Sequence, residues 1–300
     1  MSLRVSKTFG SRGPSQTEYP KKKFIFVFEG EKTEKQYFEG LFNNRDELGI
    51  KDILHVKTLE RDDGSFSNQK KIVEELHLSL KEVSRIKESK EELLMFINSI
   101  IEKYDLSQFD DFTSSIESAI NGEEIDYHLS EVVATIEELE IKSLELSVFI
   151  DKLKTLKDLL DFDENYDSVC IIIDRDQQSF KEGQYDEVIK ICHENNYKLG
   201  ITNPSFEFWL LLHTTDCSEF NAAELLKNKR ISRNRRYVET LLVDKLGSYR
   251  KNNIQFDIFK PNIMIAIERA KLHCEDPATL KNNLGSSVGN LINNLLNTYK

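Results

Sequence analysis

The sequence predicts an α/β fold, in which helices flank a mostly parallel β-sheet and a long α-helical hairpin is inserted into the body. Two short apolar segments rich in β-branched and aromatic residues, Phe24–Phe28 and Val169–Ile173, are typical of buried strands. Each is followed by a segment whose apolar residues recur every three to four positions, as in an amphipathic helix. The inserted hairpin is predicted because two long stretches within residues 70–165 keep the same helical spacing.

The N-terminal part begins with a predicted flexible segment, residues 1–20. It contains Ser, Gly, Pro and basic residues but no apolar run, so it does not resemble a secretory signal. Lys21 to Phe28 is the first predicted strand, and a helix is predicted from Thr33 onward. Ile53 to Leu59 is predicted to be the second strand. The order strand, helix, strand favours parallel pairing.

The predicted insertion, residues 70–165, divides a body made of residues 21–69 and 166–300. Its first helix is expected from Lys70 to about Tyr104, and its second from Glu131 to Leu160. A polar stretch separates the two helices. An antiparallel hairpin that projects from the body is the simplest arrangement of these two helices.

Charge is distributed unevenly along the chain. Lys71 to Glu164 contains 24 acidic and 10 basic residues and so carries a net charge of −14, while the whole chain carries −11 and the remainder therefore +3. In contrast, Lys227 to Asn253 contains nine Lys or Arg residues against Glu239 and Asp244. An acidic insertion is poorly suited to nucleic acid, whereas the basic segment is well suited to it.

The second half of the body repeats the strand and helix pattern. Val169–Ile173 is almost wholly Val and Ile, as expected for a parallel strand covered on both faces. The next elements are predicted to be a helix, Tyr185–Asn195, and a short strand, Tyr197–Asn203. An apolar helix that opens on its proline, Pro204–His213, follows. Further along are a short extended piece, Phe256–Pro261, and a final helix, Ser286–Tyr299. The rest of the segment is predicted to be mostly helical.

The composition indicates a globular protein that does not cross a membrane. The chain has 300 residues, of which 39% are hydrophobic, and this is enough for a sizeable core. No apolar run approaches the roughly 18 to 20 residues of a membrane-spanning helix. Its four cysteines, Cys170, Cys192, Cys217 and Cys274, are widely spaced and form no CxxC pair. We therefore expect free thiols in a reducing cytoplasm rather than disulfides or a zinc site.

Acidic residues follow both strongly predicted strands at the point where each strand ends. Glu29 follows the first, and Asp174 and Asp176 follow the second. If the strands are neighbours, these carboxylates converge, because ligands of parallel sheets bind beyond the carboxyl ends of the strands. Either motif alone would more often be a helix cap or a turn than part of a catalytic site. Together they predict a Mg²⁺ or Mn²⁺ site, since hard oxygen ligands suit these cations and leave positions open for phosphate and water.

Five segments of the chain resemble, in order, successive blocks of the RloB-like family: "FVFEGEKTEKQYF", "IIDRD", "TNPSFEFWLLLH", "SYRKNN" and "NNLGSSVGNLINNL". The first two are also similar to the metal-binding TOPRIM domain of topoisomerases, primases and OLD-family nucleases. The resemblance covers roughly residues 20–66 and 166–300 and says little about residues 70–165. It implies a TOPRIM-like, Rossmann-like sheet and a metal-dependent nuclease encoded at bacterial phage-defence loci, often beside an ABC/AAA-type ATPase.

The resemblance also implies which residues form the site. Glu29 is expected to be a metal ligand or an acid/base, and Glu34 a carboxylate of a second metal site. The ligands of the two expected cations are Glu29, Glu34, Asp174 and Asp176. Glu207 and His213 fall on recurring polar positions of the family. Glu207 is either catalytic or a residue that caps or braces the site, and for His213 a structural role is favoured over a catalytic one.

Two further predictions concern basic residues. Lys251 is a catalytic candidate, because an ammonium group there would stabilise charge that develops on the scissile phosphate; a solvated surface lysine is the alternative. Upstream of it, a basic cluster would supply phosphate affinity that does not depend on sequence, although an ordinary exposed basic helix would look the same. The predicted nucleic-acid contacts are Lys227, Lys229, Arg230, Arg233, Arg235 and Arg236.

The leading hypothesis is a Mg²⁺- or Mn²⁺-dependent, TOPRIM-type nuclease that cleaves DNA or RNA, with tRNA among the candidates, as an anti-phage abortive-infection effector. The acidic insertion would dock on a basic surface of an ABC/AAA-type ATPase partner or form a homodimer. Its apolar stripe is equally explained by its two helices packing on each other. Two rival hypotheses are a metal-dependent nucleotide phosphohydrolase or nucleotidyl transferase, and a non-catalytic partner or sensor.

Overall fold

The computed structural model describes residues 22–29, 32–50, 53–57, 69–88, several single positions between 91 and 102, and residues 162–297 except positions 178 and 234. Two predictions fall outside the described residues: the flexible segment 1–20, and the part of the helical hairpin that spans residues 103–161. The division of the chain into a split body and an insertion therefore stays a prediction.

The described elements alternate between strands and helices along most of the chain. The strands are β1 (Lys23–Phe28), β2 (Ile53–Lys57), β3 (Ser168–Asp174), β4 (Lys198–Asn203), β5 (Arg230–Ser232), β6 (Arg235–Arg236) and β7 (Gly285–Ser286). The helices are α1 (Thr33–Asn43), α2 (Arg45–Leu48), α3 (Gln69–Glu88), α4 (Glu182–Glu194), α5 (Phe206–Leu212), α6 (Ala222–Lys227), α7 (Tyr237–Leu246), α8 (Phe256–Phe259), α9 (Ile263–Ala270) and α10 (Val288–Asn297). A 3₁₀ turn, Lys260–Asn262, joins α8 to α9.

The main sheet has five strands in the order β2, β1, β3, β4, β7. The first four are parallel to one another, and the short β7 pairs antiparallel with β4 at the edge. The predicted α/β fold with a mostly parallel sheet is thus confirmed. From β1 the chain passes to β2 on one side, while β3 lies on the other side, so the strand order reverses between β1 and β3. In open parallel sheets, such a reversal leaves a crevice beyond the carboxyl ends of the two strands.

Both faces of the sheet are buried, as the near-continuous apolar composition of β1 and β3 predicts. Phe24, Phe26 and Phe28 of β1 point into the core beneath α1, α5, α9 and α10. The alternate residues Ile25 and Val27 are equally buried but belong to the opposite face. That face is covered by α3 and α4, which pack on each other, and α3 also contacts β3.

The larger core is built around aromatic rings. Tyr37 of α1 contacts Trp209 and Phe206 of α5 edge to face, and Phe259 of α8 as well. Trp209 is fully buried, as expected for a core residue. Because α5 contributes seven consecutive buried residues, it lies inside the body rather than on its surface. This central helix connects the core with the crevice described below.

The first helix of the predicted insertion packs against the body over its described length. Its apolar positions Ile72, Leu76, Leu80 and Val83 are buried. An ion pair between Lys70 and Glu187 and a 3.1 Å hydrogen bond between His77 Nδ1 and the Tyr197 hydroxyl attach α3 to α4 and to the start of β4. None of the helices in the described part of the chain combines the length and apolar composition that crossing a bilayer would require.

Two predicted elements differ from the structure. The piece predicted to be extended, Phe256–Pro261, is helix α8 followed by the 3₁₀ turn. Its conformation is set by packing, because Phe256 and Phe259 lie three residues apart and both enter the core. The apolar helix predicted to open on Pro204 begins two residues later, at Phe206, after an extended Ser205.

Candidate functional site

Glu29 and Asp174 meet at the crevice between β1 and β3. The strands pair in register, Phe28 opposite Ile172, and the Glu29 amide continues the ladder by donating to the Ile172 carbonyl at 3.1 Å. The Asp174 amide in turn donates to Glu29 Oε2 at 3.1 Å. The backbone pairing therefore places both acidic residues at the same edge of the sheet, as the sequence predicts for neighbouring strands.

Asp176 and Arg175 follow the end of β3 and differ in burial. Asp176 is partly exposed, and its charge acts on Glu29. Arg175 is buried, and its guanidinium donates to the carbonyls of Phe180 and Lys281 at 2.5 and 3.1 Å. Arg175 thus braces the loop behind the site rather than neutralising the carboxylates.

Gln69 is a residue of the site that the sequence analysis missed. It is the first residue of α3 and is fully buried. Its Nε2 donates to Glu29 Oε1 at 2.9 Å and lies 3.4 Å from the Asp174 carbonyl. Gln69 follows a segment that carries no strand or helix signal, so nothing in the sequence pattern predicted that it would reach the edge of the sheet.

The carboxyl groups of the site repel one another. Burial raises the pKa of Glu29 from 4.5 to about 7, and the negative charges of Glu34 and Asp176 contribute to the rise. Burial and the charge of Glu207 raise the pKa of Glu34 to about 6. For Asp174, burial together with Glu34, Glu29 and Glu207 raises the pKa well above its usual value. A nearby positive charge would allow more of these groups to ionise.

Lys251 supplies one such positive charge. Its Nζ lies 3.3 Å from Glu207 Oε1 and 3.7 Å from Glu239 Oε1. Burial opposes the charged form, but attraction to Glu207, Asp174, Glu239 and Glu34 outweighs it and raises the pKa of Lys251. The lysine therefore stays protonated at the edge of the carboxylate cluster. With 53% of its side chain exposed, it also remains open to a ligand.

The loop that carries Lys251 is held by α1. Thr33 Oγ1 donates to the Lys251 carbonyl, and Gln36 Nε2 donates to the Asn252 carbonyl at 3.1 Å. Gln36 also accepts a hydrogen bond from the Ile254 amide at 2.8 Å. The first turns of α1 thus position the lysine. No local sequence pattern indicates this connection, because it joins residues more than 200 positions apart.

Glu207, in the first turn of α5, faces the site. Only 1% of the residue is exposed, and its Oε1 accepts a hydrogen bond from the Tyr249 hydroxyl at 3.2 Å in addition to contacting Lys251. Burial and the charge of Glu207 raise the pKa of Tyr249, so the hydroxyl remains a donor. The sequence left open whether Glu207 is catalytic or a residue that caps or braces the site. This geometry fits a residue that braces Lys251.

His213, six residues further along, lies in the core and not at the crevice. Its Nδ1 donates to the Trp209 carbonyl at 3.0 Å, and its Nε2 lies 3.0 Å from the Tyr37 hydroxyl. Burial lowers the pKa of His213 to about 3, so the ring is neutral and Nε2 accepts from Tyr37. Both ring nitrogens are satisfied within the core. This arrangement matches the structural role that the sequence favoured.

Glu239, another residue that the sequence analysis did not select, joins the site to the basic segment. It lies in the first turn of α7 and is 8% exposed. Its Oε2 accepts from the Arg236 amide at 3.1 Å, which caps the helix, while its Oε1 faces Lys251. A glutamate at the third position of a helix is typical of such a cap, but the contact with Lys251 depends on tertiary packing.

The arginine-rich part of the basic segment, Arg230–Arg236, forms a β-hairpin, whereas the sequence predicted the segment to be mostly helical. Strands β5 and β6 pair antiparallel next to the end of α6. The left-handed conformation of Asn228, whose buried side chain accepts from the Val238 amide at 3.0 Å, ends α6 and forces the change. Four of the predicted nucleic-acid contacts lie on this hairpin: Arg230, Arg233, Arg235 and Arg236. Of the other two, Lys227 ends α6 and Lys229 lies between α6 and β5. Within the described part of the chain, none of the six forms an ion pair.

The site fits a hard divalent cation by donor chemistry rather than by a preformed cage. Among the described residues, no group of three or more His, Cys, Asp or Glu side chains is arranged to hold a metal ion. However, Mg²⁺ commonly uses only one or two carboxylates and completes its shell with water and substrate phosphates. Asp174 Oδ1 is buried without a hydrogen-bond partner in the described structure, and the mutual repulsion of the carboxyl groups favours a cation beside Glu29 and Asp174.

Comparison with known proteins identifies one family. The sequence model of the RloB-like protein family matches residues 24–295. This match spans both strands of the crevice, the segment between them and the helices that carry Glu207 and Glu239. No curated protein and no solved structure matches the chain.

Proposed function

Because this chain belongs to the RloB-like protein family, whose resemblance to TOPRIM enzymes implies phosphodiester chemistry, we propose that it is a Mg²⁺- or Mn²⁺-dependent nuclease. One observation carries the proposal: Glu29, Asp174 and Lys251 converge at the point where the strand order of a parallel sheet reverses. An exposed basic hairpin connected to the same site supports a polymeric, phosphate-rich substrate over a small molecule.

The cation would be held by Glu29 and Asp174, with Asp176 and Glu34 as further ligands. When bound, it supplies Lewis-acid stabilisation of charge on the phosphate oxygens. Glu29 would also accept the proton of the attacking water as the oxygen–phosphorus bond forms. The bond from phosphorus to the leaving oxygen breaks in the same displacement, and that oxygen takes a proton from solvent.

Lys251 would stabilise the transition state. Its ammonium group is held by Glu207 and Glu239 and is half exposed, so a phosphate that enters the crevice gains a fixed positive partner without displacing a buried pair. Tyr249, Thr33 and Gln36 keep the lysine loop in place. These residues orient Lys251 rather than contact the substrate.

The basic hairpin would hold the polynucleotide next to the site. Its Lys and Arg side chains can neutralise phosphates of any sequence, in either DNA or RNA, and tRNA is one candidate substrate. We further propose that the chain acts as an anti-phage effector together with an ABC/AAA-type ATPase, as the resemblance to the RloB-like family implies. The acidic insertion suits a basic surface of such a partner, because residues 71–164 within it carry a net charge of −14.

A cleavage assay tests the proposed activity. Purified protein, with and without the ATPase encoded beside it, is incubated with Mg²⁺ or Mn²⁺ and with plasmid DNA, single-stranded DNA or total RNA. We expect cleavage of at least one polymer that is lost in the Asp174→Asn/Asp176→Asn variant. The matched control is Asp46→Asn, which removes a carboxylate that is 98% exposed and outside the site.

The same assay separates the rival functions. Turnover of free nucleotides without cleavage of any polymer would replace the nuclease by a nucleotide phosphohydrolase or nucleotidyl transferase. If no substrate is consumed in any mixture, and the double variant still supports defence in cells, the chain is a non-catalytic partner or sensor.

A further inference from the structure

Two buried oxygen atoms beside Glu29 have no hydrogen-bond partner in the described structure: Gln69 Oε1 and Asp174 Oδ1. Both residues contact Glu29, Gln69 through its amide nitrogen at 2.9 Å and Asp174 through its backbone amide at 3.1 Å. Gln69 is fully buried, so bulk water does not compensate its oxygen. The two unpaired acceptors therefore belong to two residues that both hydrogen-bond to Glu29.

The orientation of the Gln69 side chain is fixed by its neighbours. Its amide nitrogen faces two acceptors, Glu29 Oε1 and the Asp174 carbonyl. The opposite orientation would place the amide oxygen against those oxygens and is excluded by repulsion. Among the described residues, the carbonyl end of this buried amide is consequently left without a donor, which is an unfavourable arrangement unless a ligand completes it.

A divalent cation would satisfy both unpaired atoms. Side-chain amide carbonyls and carboxylates are the oxygen ligands that Mg²⁺, Mn²⁺ and Ca²⁺ take in proteins. We propose that Gln69 is a further residue of the cation site, whose Nε2 orients Glu29 and whose Oε1, together with Asp174 Oδ1, faces the bound cation. This inference rests on the proposed function, since it deepens the cation dependence of the same site.

The proposal also links the site to the insertion. Gln69 is the first residue of α3, and the next residue, Lys70, pairs with Glu187 of α4. The apolar face of α3 is buried against the body along most of its described length. A cation ligand at the start of α3 means that the first turn of this helix, next to the predicted insertion, forms one wall of the site.

The test is Mn²⁺ binding by the intact, metal-free protein, measured from the electron paramagnetic resonance signal of free Mn²⁺ during a titration. We expect Gln69→Leu to weaken binding by about tenfold, in the range seen when residues that orient or supplement metal ligands are removed. Gln255→Leu, at the exposed position before α8, is the matched control and should bind as the wild type does. Glu29→Gln should bind most weakly.

A second variant distinguishes a cation residue from a merely structural one. Gln69→Glu keeps an oxygen at the position but replaces the donor to Glu29 by a negative charge. Without metal its Tm should fall below that of the wild type, and Mn²⁺ should raise the Tm by more than it does in the wild type. This variant decides the question if Gln69→Leu fails to fold.

Three outcomes overturn the inference. An unchanged dissociation constant in Gln69→Leu, with binding lost in Glu29→Gln, removes Gln69 alone and leaves the proposed nuclease intact. A Mn²⁺-induced rise in Tm that is no larger in Gln69→Glu than in the wild type removes it as well. A wild-type chain that binds no Mn²⁺ removes both this inference and the cation dependence. Conversely, Mn²⁺ binding that requires Gln69, without cleavage of any polynucleotide, supports the inference and contradicts the nuclease.

Discussion

Glu207 and His213 lie at opposite ends of the same short helix, α5, and both are almost fully buried, yet their surroundings differ. At the N-terminal end, Glu207 belongs to a cluster of carboxyl groups that repel one another and are balanced in part by Lys251. At the C-terminal end, His213 is neutral and both of its ring nitrogens are hydrogen-bonded inside an aromatic core. The charged end opens to the crevice, whereas the neutral end is closed.

This contrast shows that burial of a titratable residue does not by itself mark a functional site. What distinguishes the two ends is whether the buried groups are satisfied by the protein alone. A satisfied polar network stabilises one core arrangement, while an unsatisfied cluster of like charges is unfavourable without a ligand. Substitutions at the charged end should therefore affect activity more than stability, and substitutions at the neutral end should do the opposite.

The largest effect on activity is expected for Glu29→Gln. The substitution removes the group proposed to accept a proton, so the cleavage rate should fall by about 10²- to 10⁴-fold. Without metal, its Tm should not fall, because one of the mutually repelling carboxylates is gone. Cleavage kinetics and thermal unfolding of the same preparation measure both effects. A large decrease in Tm together with wild-type activity would contradict the proposed difference between the two ends of α5.

A somewhat smaller loss is expected for Lys251→Met. Removing a fixed positive charge from the transition state should lower the cleavage rate by about 10²-fold. Unlike Glu29→Gln, this variant should also lose stability, because Glu207 and Glu239 lose their positive partner. The control is Lys245→Met, which removes a surface lysine that pairs with Glu219. Equal activities of the two lysine variants would show that Lys251 is only a solvated side chain.

Substitutions in the basic hairpin should change binding rather than the chemical step. Each of Arg230→Ala and Arg235→Ala should weaken polynucleotide binding uniformly across sequences and reduce the slope of log K against log salt by about 1. Fluorescence anisotropy at several salt concentrations measures the slope. Arg45→Ala, on the surface of α2, should leave it unchanged. An unchanged slope in all three variants would remove the hairpin from the substrate path.

The smallest effect on activity is expected at the neutral end. Tyr37→Phe removes the donor to His213 Nε2 and leaves a buried acceptor unpaired, which should cost about 1–3 kcal/mol of unfolding free energy. Below the Tm, the cleavage rate should equal that of the wild type. Denaturant unfolding and the cleavage assay measure the two quantities. A selective loss of activity would show that His213 takes part in function after all.

Local sequence patterns predict the two strands that form the crevice, β1 and β3, and the position of their carboxyl ends. The run from Phe24 to Phe28 and the run from Val169 to Ile173 are buried on both faces, so their strand assignment does not depend on distant contacts. Since parallel strands place their carboxyl ends at one edge, the proximity of Glu29 and Asp174 follows from the strand assignment once the two strands are neighbours.

Residues that reach the site from distant segments could not be predicted in the same way. Gln69 and Glu239 have no unusual neighbours in the sequence, and they enter the site only because α3 and α7 pack on the body. The segment that forms the basic hairpin was predicted to be helical together with the rest of the C-terminal part, but the left-handed Asn228 ends α6 before the arginines. Tertiary packing overrides local preference at each of these positions.

The central claim, that a cation resolves the repulsion at the charged end, is tested most directly by the Tm of the intact protein between pH 4.5 and 8, with EDTA or with Mn²⁺. Burial raises the pKa of Glu29 to about 7 and that of Glu34 to about 6, so the folded state binds more protons than the unfolded state. The contribution of these two carboxyl groups to the free energy of unfolding is fully present below pH 4.5 and is lost as the pH rises through 7.

We predict that in EDTA the Tm of the wild type falls over this pH range and that Mn²⁺ removes most of the fall. The Glu29→Gln/Asp174→Asn variant, which lacks two of these carboxyl groups, should show a smaller fall in EDTA and little response to Mn²⁺. The control Asp46→Asn should respond to Mn²⁺ as the wild type does. Identical pH profiles with and without Mn²⁺ in the wild type would contradict the account, because the carboxylates would then form a structural cluster that needs no cation.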